Sequence, residues 1–253
     1  MALTRTPAVY NKLRRPVAVA RFLLRRPHQE SYGIFGLMQG PGMFLDVGAN
    51  AGQAAYSFRI FNRRSPILSF EPNPFHEPDL LTAARLLRRM KYRLCGASDK
   101  QGEMALFVPH YRGVPLTPYA SLDREEIAES WLRHEIGDRR MASPDFVIVE
   151  RRVSVCVLDD LHLQPSFIKV DVEGHELPVL TGLRGTIRRN RPVLLVETPG
   201  PDVDALLGEF GYEPFRYVAA THSVDRRGGE EDRRSPDTVF LLPEHVPRSG
   251  GPR

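Results

Sequence analysis

From residue 43 onward, short apolar runs alternate with stretches whose apolar residues recur at helical spacing. Met43-Phe44-Leu45 leads into Asp46 and the turn Val47-Gly48-Ala49-Asn50-Ala51-Gly52, after which Ala54, Phe58 and Phe61 share one helical face. The pattern predicts a second strand at 67–70 closed by Glu71-Pro72-Asn73-Pro74, a helix marked by Leu80, Ala84 and Leu87, and a third strand at 92–97. It resumes with a strand at 167–172, one helix from Glu176 to about Arg189, a strand at 193–197 and a helix at 203–210. Strands at 215–220 and 238–242 close the chain, joined by a charged loop at 225–236. Strand and helix alternating in this way signal a mostly parallel sheet covered on both faces.

The stretch between breaks that rhythm. Residues 104–108 and 147–158 read as an antiparallel strand pair, and between them one helix starts at an Asp123 cap. Glu126 completes the capping box, and Ile127, Trp131 and Glu135 follow at helical spacing. Segment 109–146 is therefore expected to be an inserted substrate cap in a domain spanning 41–245. Its Tyr111, Arg112, Tyr119 and Trp131 are either sugar-stacking or acid-binding groups, or ordinary packing. Residues 1–40 form a basic extension in which Arg14-Arg15 and Arg25-Arg26 flank the apolar stretch 17–24. It is either a helix packed on the core or a peripheral contact with an anionic membrane surface. Residues 246–253 are expected to be a flexible tail.

Charge changes little in this picture. The formal charge is +4, and acidic residues accompany basic ones nearly everywhere except at the N-terminus, so no nucleic acid is expected as a partner. Lys12, Lys91, Lys100 and Lys169 are the only lysines, a bias towards arginine. Cys95 and Cys156 each sit in an apolar run and read as small buried hydrophobes in a reducing compartment. No apolar run approaches the roughly 18 residues of a membrane span, and no signal-peptide core is visible, so a cytoplasmic location is expected.

Three groups of polar residues fall at strand ends, where open α/β sheets place their ligands. In the first turn, Gly48 and Gly52 allow close backbone approach to a ligand, and helix N-terminal amides behind them favour an anion. The Gly-x-Gly-x-x-Gly spacing of a dinucleotide site is missing. Glu71 ends the second strand nineteen positions after Gly52, the spacing at which an acid accepts hydrogen bonds from ribose hydroxyls. Finally, Asp171 and Glu173 alternate at the end of a strand and His175 opens the next helix, three titratable groups of the kind that build acid–base sites. Glu176 offsets a helix dipole.

These segments together resemble the FkbM family of S-adenosylmethionine-dependent methyltransferases. The resemblance runs through residues 44–52, Phe70-Glu71-Pro72-Asn73-Pro74 and Leu158-Asp159-Asp160-Leu161. It continues through 169–176 with Leu180 and Gly182, and ends at 191–197. It implies a Rossmann-like class I methyltransferase fold, a mostly parallel seven-stranded sheet, and methylation of hydroxyl groups on sugars, polyketides or related natural products. By position, Asp46, Gly48, Asn50 and Gly52 would contact the amino-acid end of S-adenosylmethionine, Glu71 its ribose, and Ser98 and Asp99 its adenine. The acceptor would be a small molecule or glycan.

On this reading His175 or Asp171 is the general base and Glu173 orients it. A divalent metal held among Asp171, Glu173 and Glu197 is the less favoured arrangement. Two other readings stand beside it: an NAD-dependent nucleotide-sugar oxidoreductase, opposed by the absent third glycine and Tyr-x-x-x-Lys pair, and a non-catalytic binding module.

Overall fold

The computed structural model describes residues 7–38, 40–129, 132, 136–228 and 237–246. A basic helix α1 (Pro7–Leu23) and the short α2 (Ile34–Leu37) precede the sheet. Strand β1 (Met43–Val47) follows, then α3 (Gln53–Phe61), β2 (Ile67–Phe70), α4 (Glu77–Leu86) and β3 (Met90–Arg93). The chain then leaves this sheet for β4 (Gly96–Ala97), β5 (Gly102–Tyr111), β6 (Val114–Pro115), α5 (Arg124–Glu129), α6 (Asp138–Met141) and β7 (Phe146–Cys156). It returns through β8 (Pro165–Val170), α7 (Glu176–Thr181), α8 (Arg184–Asn190), β9 (Val193–Glu197) and α9 (Pro201–Gly208). Strands β10 (Glu213–Val218), β11 (Ser223–Arg226) and β12 (Asp237–Leu241) complete it.

Among the described residues the main sheet has eight strands in the order β11-β10-β12-β9-β8-β1-β2-β3. Strands β1, β2, β3, β8 and β9 are parallel, while β12 pairs antiparallel with both β9 and β10. The expected seven strands are all present. The eighth, β11, lies at the start of what the sequence suggests is a loop and forms a hairpin edge on β10. Chain order reverses between β1 and β8, the switch point at which such sheets open a crevice.

Alternation explains why both faces are covered. Phe44, Phe167, Val193 and Leu195 face one apolar cluster with α1, α3 and α4. Their neighbours Leu45, Ile168, Leu194 and Val196 face the other, with α7, α8 and α9. Phe44 alone meets Phe35, Phe58 and Phe167 at ring-centroid distances of 5.2, 4.4 and 5.9 Å.

Two expected elements are interrupted. The third strand breaks after Arg93, because Gly96 and Ala97 pair with Val155 and Cys156 of the second sheet instead of continuing beside β2. The helix expected over 176–189 divides at Gly182, where a side chain would meet the Ser98 carbonyl oxygen at 2.2 Å. Asp159 then caps the new helix from a distance, accepting from the Gly185 and Thr186 amides at 2.7 and 2.6 Å. That is the structural use of one acid in the Leu158–Leu161 segment.

The inserted unit is wider than 109–146. A four-stranded sheet, β4-β7-β5-β6, includes both long strands, and β5 and β7 form the expected antiparallel pair along their length. The Asp123 carboxylate accepts from the Glu125 amide at 2.8 Å at the start of α5. The side chain of Glu126, and Trp131, Glu135, residues 229–236 and the tail beyond Val246 lie outside the described residues. Both cysteines are free thiols and only half-buried, less enclosed than expected. No helix among the described residues is long and apolar enough to cross a membrane.

Helix α1 is packed on the body of the protein. Ala18 joins the core cluster, and Phe22 meets Tyr56 at 5.6 Å between ring centroids. Arg14 and Arg15 pair with the buried Asp79 of α4 at 2.7 and 2.8 Å. Arg14 also donates to Thr117 and to the Phe75 carbonyl, and Asn11 to the Pro115 carbonyl, so the helix braces the inserted unit. Asp79→Ala would leave the Arg14 guanidinium shielded without its carboxylate. With the half-exposed Arg15 discounted, the cost should be about 2–3 kcal/mol. A thermal melt should then fall by about 5–10 °C; a Tm within a degree of wild type would refute the brace.

Candidate active site

The cleft opens at the switch point between β1 and β8. About 900 Å³ of space, solvent at its mouth included, lies between the main sheet and the inserted unit. Gly48 occupies the first turn at φ +80, a conformation costly for other residues, and a Cβ there would meet the Asp171 carbonyl oxygen at 1.6 Å. The turn is thus drawn tight against the end of β8. Its amides at Gly48 and Ala49 both donate to the Phe70 carbonyl at 3.0 Å.

Glu71 lies at the end of β2, where the Asn50 and Asn73 amides donate to its two carboxylate oxygens at 2.7 and 2.8 Å. Burial raises its pKa to about 7, although the two amides and Lys169 favour the ionised form. Each oxygen keeps a further acceptor site open to a hydroxyl donor.

Beneath the cleft sits a charge cluster built by strand register. Asp46 of β1 is opposite Ser69 of β2 on one side and Lys169 of β8 on the other. Ser69 donates to Asp46 at 3.0 Å. The buried Lys169 ammonium donates to Asp171 at 2.7 Å and to the Gly48 carbonyl at 3.1 Å, with Asp46 at 4.0 Å. Burial alone would lower the lysine pKa, but Asp171, Tyr32 and Asp46 together hold it well above its usual range. Asp46 itself is pushed up by complete burial.

At the cleft wall, Asp171, Glu173 and Glu197 bring carboxylate oxygens within 4.8 Å of one another. Burial, the Asp171 hydrogen bond and the neighbouring charges push Glu197 up to about 10. Burial opposes ionisation of Asp171, yet Lys169 and the Glu197 hydrogen bond bring its pKa below the usual value. The ammonium at 2.7 Å favours the ionised form of Asp171, and burial beside that charge favours the protonated form of Glu197. Glu173 adopts φ +51 beside Gly174 at φ +90, a tight turn secured by Glu176, whose carboxylate accepts from the Gly174 amide at 3.1 Å.

His175 also lines the cleft. Its Nε2 lies 3.0 Å from the Ser98 hydroxyl, which in turn donates to Asp99 at 3.2 Å. Burial keeps the imidazole pKa below its usual value, against the pull of Asp99.

Six of the ten residues expected at the site line the cleft: Gly48, Asn50, Glu71, Asp171, Glu173 and His175. Asp46 is fully buried below it and acts through Lys169. Gly52 packs in the first turn against Ala83. Ser98 and Asp99, expected beside an adenine, are outside the lining; the break in the third strand turns Ser98 to the Cys156 carbonyl and to His175.

Other lining residues were not anticipated. Asn73 and His76 are both buried, and their Nδ2 and Nδ1 atoms have no hydrogen-bond partner among the described residues. Burial lowers the His76 pKa to about 3, so the ring is neutral. Thr117, Ser121 and Leu122 contribute from the inserted unit. Lys169 carried a legible signal, being a lysine inside an apolar strand of an arginine-rich chain.

Comparison with known proteins bears on this arrangement. The family model described as Methyltransferase FkbM domain matches residues 46–214. Methyltransferase sdnD of Sordaria araneosa is 29% identical over 204 residues, covering 73% of this chain and 78% of that protein. The crystal structure of methyltransferase FkbM from Methylobacillus flagellatus KT aligns with a TM-score of 0.48 at 17% identity. That alignment covers 83% of this chain and 48% of the other, so this chain spans about half its length. Aeropyrum pernix fibrillarin, solved with natively bound S-adenosyl-L-methionine, aligns with a TM-score of 0.43 at 15% identity, over 87% of this chain and 76% of that one. The matched family segment takes in about two thirds of the chain, including the glycine turn, Glu71 and the 169–176 segment; the chain belongs to the FkbM methyltransferase family.

Proposed function

We propose that the chain transfers a methyl group from S-adenosylmethionine to a hydroxyl of a sugar, glycolipid or related natural product. The observation that carries this reading is one cleft holding a ribose-type acceptor at Glu71, a carboxylate wall and a neutral imidazole. The cleft residues suit the donor: Glu71 can accept from hydroxyls, the acidic wall favours a cationic sulfonium and amine, and Phe70, Pro72 and Leu122 supply apolar surface. The unpartnered polar atoms of Asn73 and His76 suit a polar ring edge. When bound, the donor supplies an already activated methyl group, so the protein's work is alignment and proton removal.

His175 is the proton acceptor. Ser98 gives its one proton to Asp99, so it accepts from Nε2–H of His175, and Nδ1 is left as the ring's lone-pair nitrogen. Ser98 and Asp99 are positioning residues that hold this tautomer. Asp171 is the weaker base, because its charge is already shared between Lys169 and the Glu197 proton. The same ammonium occupies one side of the carboxylate group, which favours metal-free chemistry over a divalent ion at Asp171, Glu173 and Glu197. Family membership argues against the oxidoreductase reading, and turnover separates an enzyme from a binding module.

Calorimetric titration should show S-adenosylmethionine binding and no NAD binding; the reverse would overturn the assignment. Glu71 loses its proton as pH rises through about 7, and the carboxylate is the better hydroxyl acceptor, so affinity should strengthen from pH 6 to pH 8. Glu71→Gln should weaken binding about tenfold and flatten that dependence. With labelled donor and a carbohydrate and lipid extract as acceptor, His175→Ala should lower kcat by about 10²–10⁴ while leaving donor affinity intact. In wild type, the acid limb of kcat should fall below pH 6.5, following the depressed imidazole pKa. Unchanged kcat in the variant would remove His175 from the mechanism. Full activity after exhaustive EDTA treatment is expected; loss restored by magnesium or manganese would establish the metal alternative.

A further inference from the structure

We propose that the outer face of α1, together with the arginine groove at its C-terminal end, docks the protein on an anionic lipid bilayer. The inference is independent of the methyl-transfer reading. Val9, Leu13, Val17, Ala20, Leu23 and Leu24 are all exposed, with Val17 at 42%, Leu23 at 72% and Leu24 at 68%. The Leu24 amide donates to the Ala20 carbonyl at 2.9 Å, so the helical turn carries through it. At 3.6 residues per turn these six side chains fall within an arc of about 120°. The exposed Pro16 lies in the same arc and contributes no charge. A solvent-facing arc on a packed helix is normally polar; this one is wholly apolar.

The charge that the N-terminal segment itself contributes has one sign. No acidic residue precedes Glu30, whereas Lys12, Arg25 and Arg26 are exposed on or beside the helix, and the half-exposed Arg15 is paired with Asp79. At the C-terminal end of α1, a groove of about 900 Å³, open solvent included, has Phe22, Leu23, Ile60 and Leu86 among its apolar walls. Arg25, Arg59, Arg63 and Arg88 supply its charge, and among the described residues its lining contains no carboxylate. Arg59 is only 7% exposed; its terminal nitrogens donate to the Asn62, Ser65 and Arg88 carbonyls, and its Nε has no partner among the described residues. An apolar stripe bordered by cations, ending in an arginine-lined groove, matches acyl chains beneath anionic phosphates. A protein partner of ordinary composition would bring carboxylates one at a time; a lipid surface presents anions along the whole helix.

The opposite side of α1 is already committed. Arg14 and Asn11 bond the inserted unit, and the Arg14 contact at Thr117 reaches the cleft lining. The helix is preformed and braced, so docking carries no helix-folding cost.

The test is co-sedimentation of the full chain with phosphatidylcholine vesicles, with and without phosphatidylglycerol, at low and high salt. Binding should require the anionic lipid and fall severalfold as salt screens the surface charges. Leu13→Glu and Val17→Glu together should reduce bound protein about tenfold or more, as should Arg25→Glu with Arg63→Glu. Thermal melts matching wild type would show that these exposed substitutions leave the fold intact. Absence of binding to anionic vesicles, or equal binding by the folded variants, would overturn the proposal. So would a solution dimer, seen by sedimentation velocity, that Val17→Glu dissociates, because the stripe would then be covered by a second copy.

Discussion

A single buried ammonium organises the centre of this protein. Lys169 sits where the strand order reverses between β8 and β1, reaching the Gly48 carbonyl just after β1 and the Asp171 carboxylate just beyond its own strand. A charge in that position is tolerable only if fully partnered, and its partners are what shape the cleft floor. It draws the glycine turn against the end of β8 and favours the ionised form of Asp171, while burial beside that charge raises the pKa of Glu197. The acid–base character of the cleft wall is therefore set from below, by a residue outside the lining.

The second constraint is the early departure of the chain from the main sheet. Because the third strand stops at Arg93, the backbone at Gly96–Ala97 joins β7, and Ser98 is delivered to His175. A Gly182 without a side chain lets the Ser98 carbonyl lie against the helix pair at 176–190. The inserted sheet thus does two things: it roofs the cleft with Thr117–Leu122 and orients an imidazole on the opposite wall. The two tasks are linked, since β4 and β7 belong to the same sheet as β5.

Helix α1 couples the outside of the molecule to that roof. Its inward face is divided between core packing at Ala18 and Phe22 and charged contacts at Arg14 and Arg15. Asp79 receives both arginines, so the helix is fixed in rotation as well as position, and rotation decides which residues remain outside. The apolar stripe follows from this anchoring.

Much was legible in the sequence because it depends on short-range periodicity and turn chemistry. The strands at 67–70 and 193–197, the glycine turn after β1, Glu71 at a strand end and the antiparallel pair flanking the insertion all follow from local pattern. The family followed from the spacing of those motifs along the chain. What local pattern misses is who stands opposite whom. Asp46, Ser69 and Lys169 are more than a hundred positions apart at the extremes, and only parallel register makes them neighbours. The break in the third strand, the division of the helix at Gly182 and the use of Ser98 on His175 likewise come from contacts between distant segments. Residue types and turns were the sequence's to determine; burial, register and proton placement belong to the tertiary structure, because a charge or a hydrogen bond takes its energy from the neighbours that packing supplies.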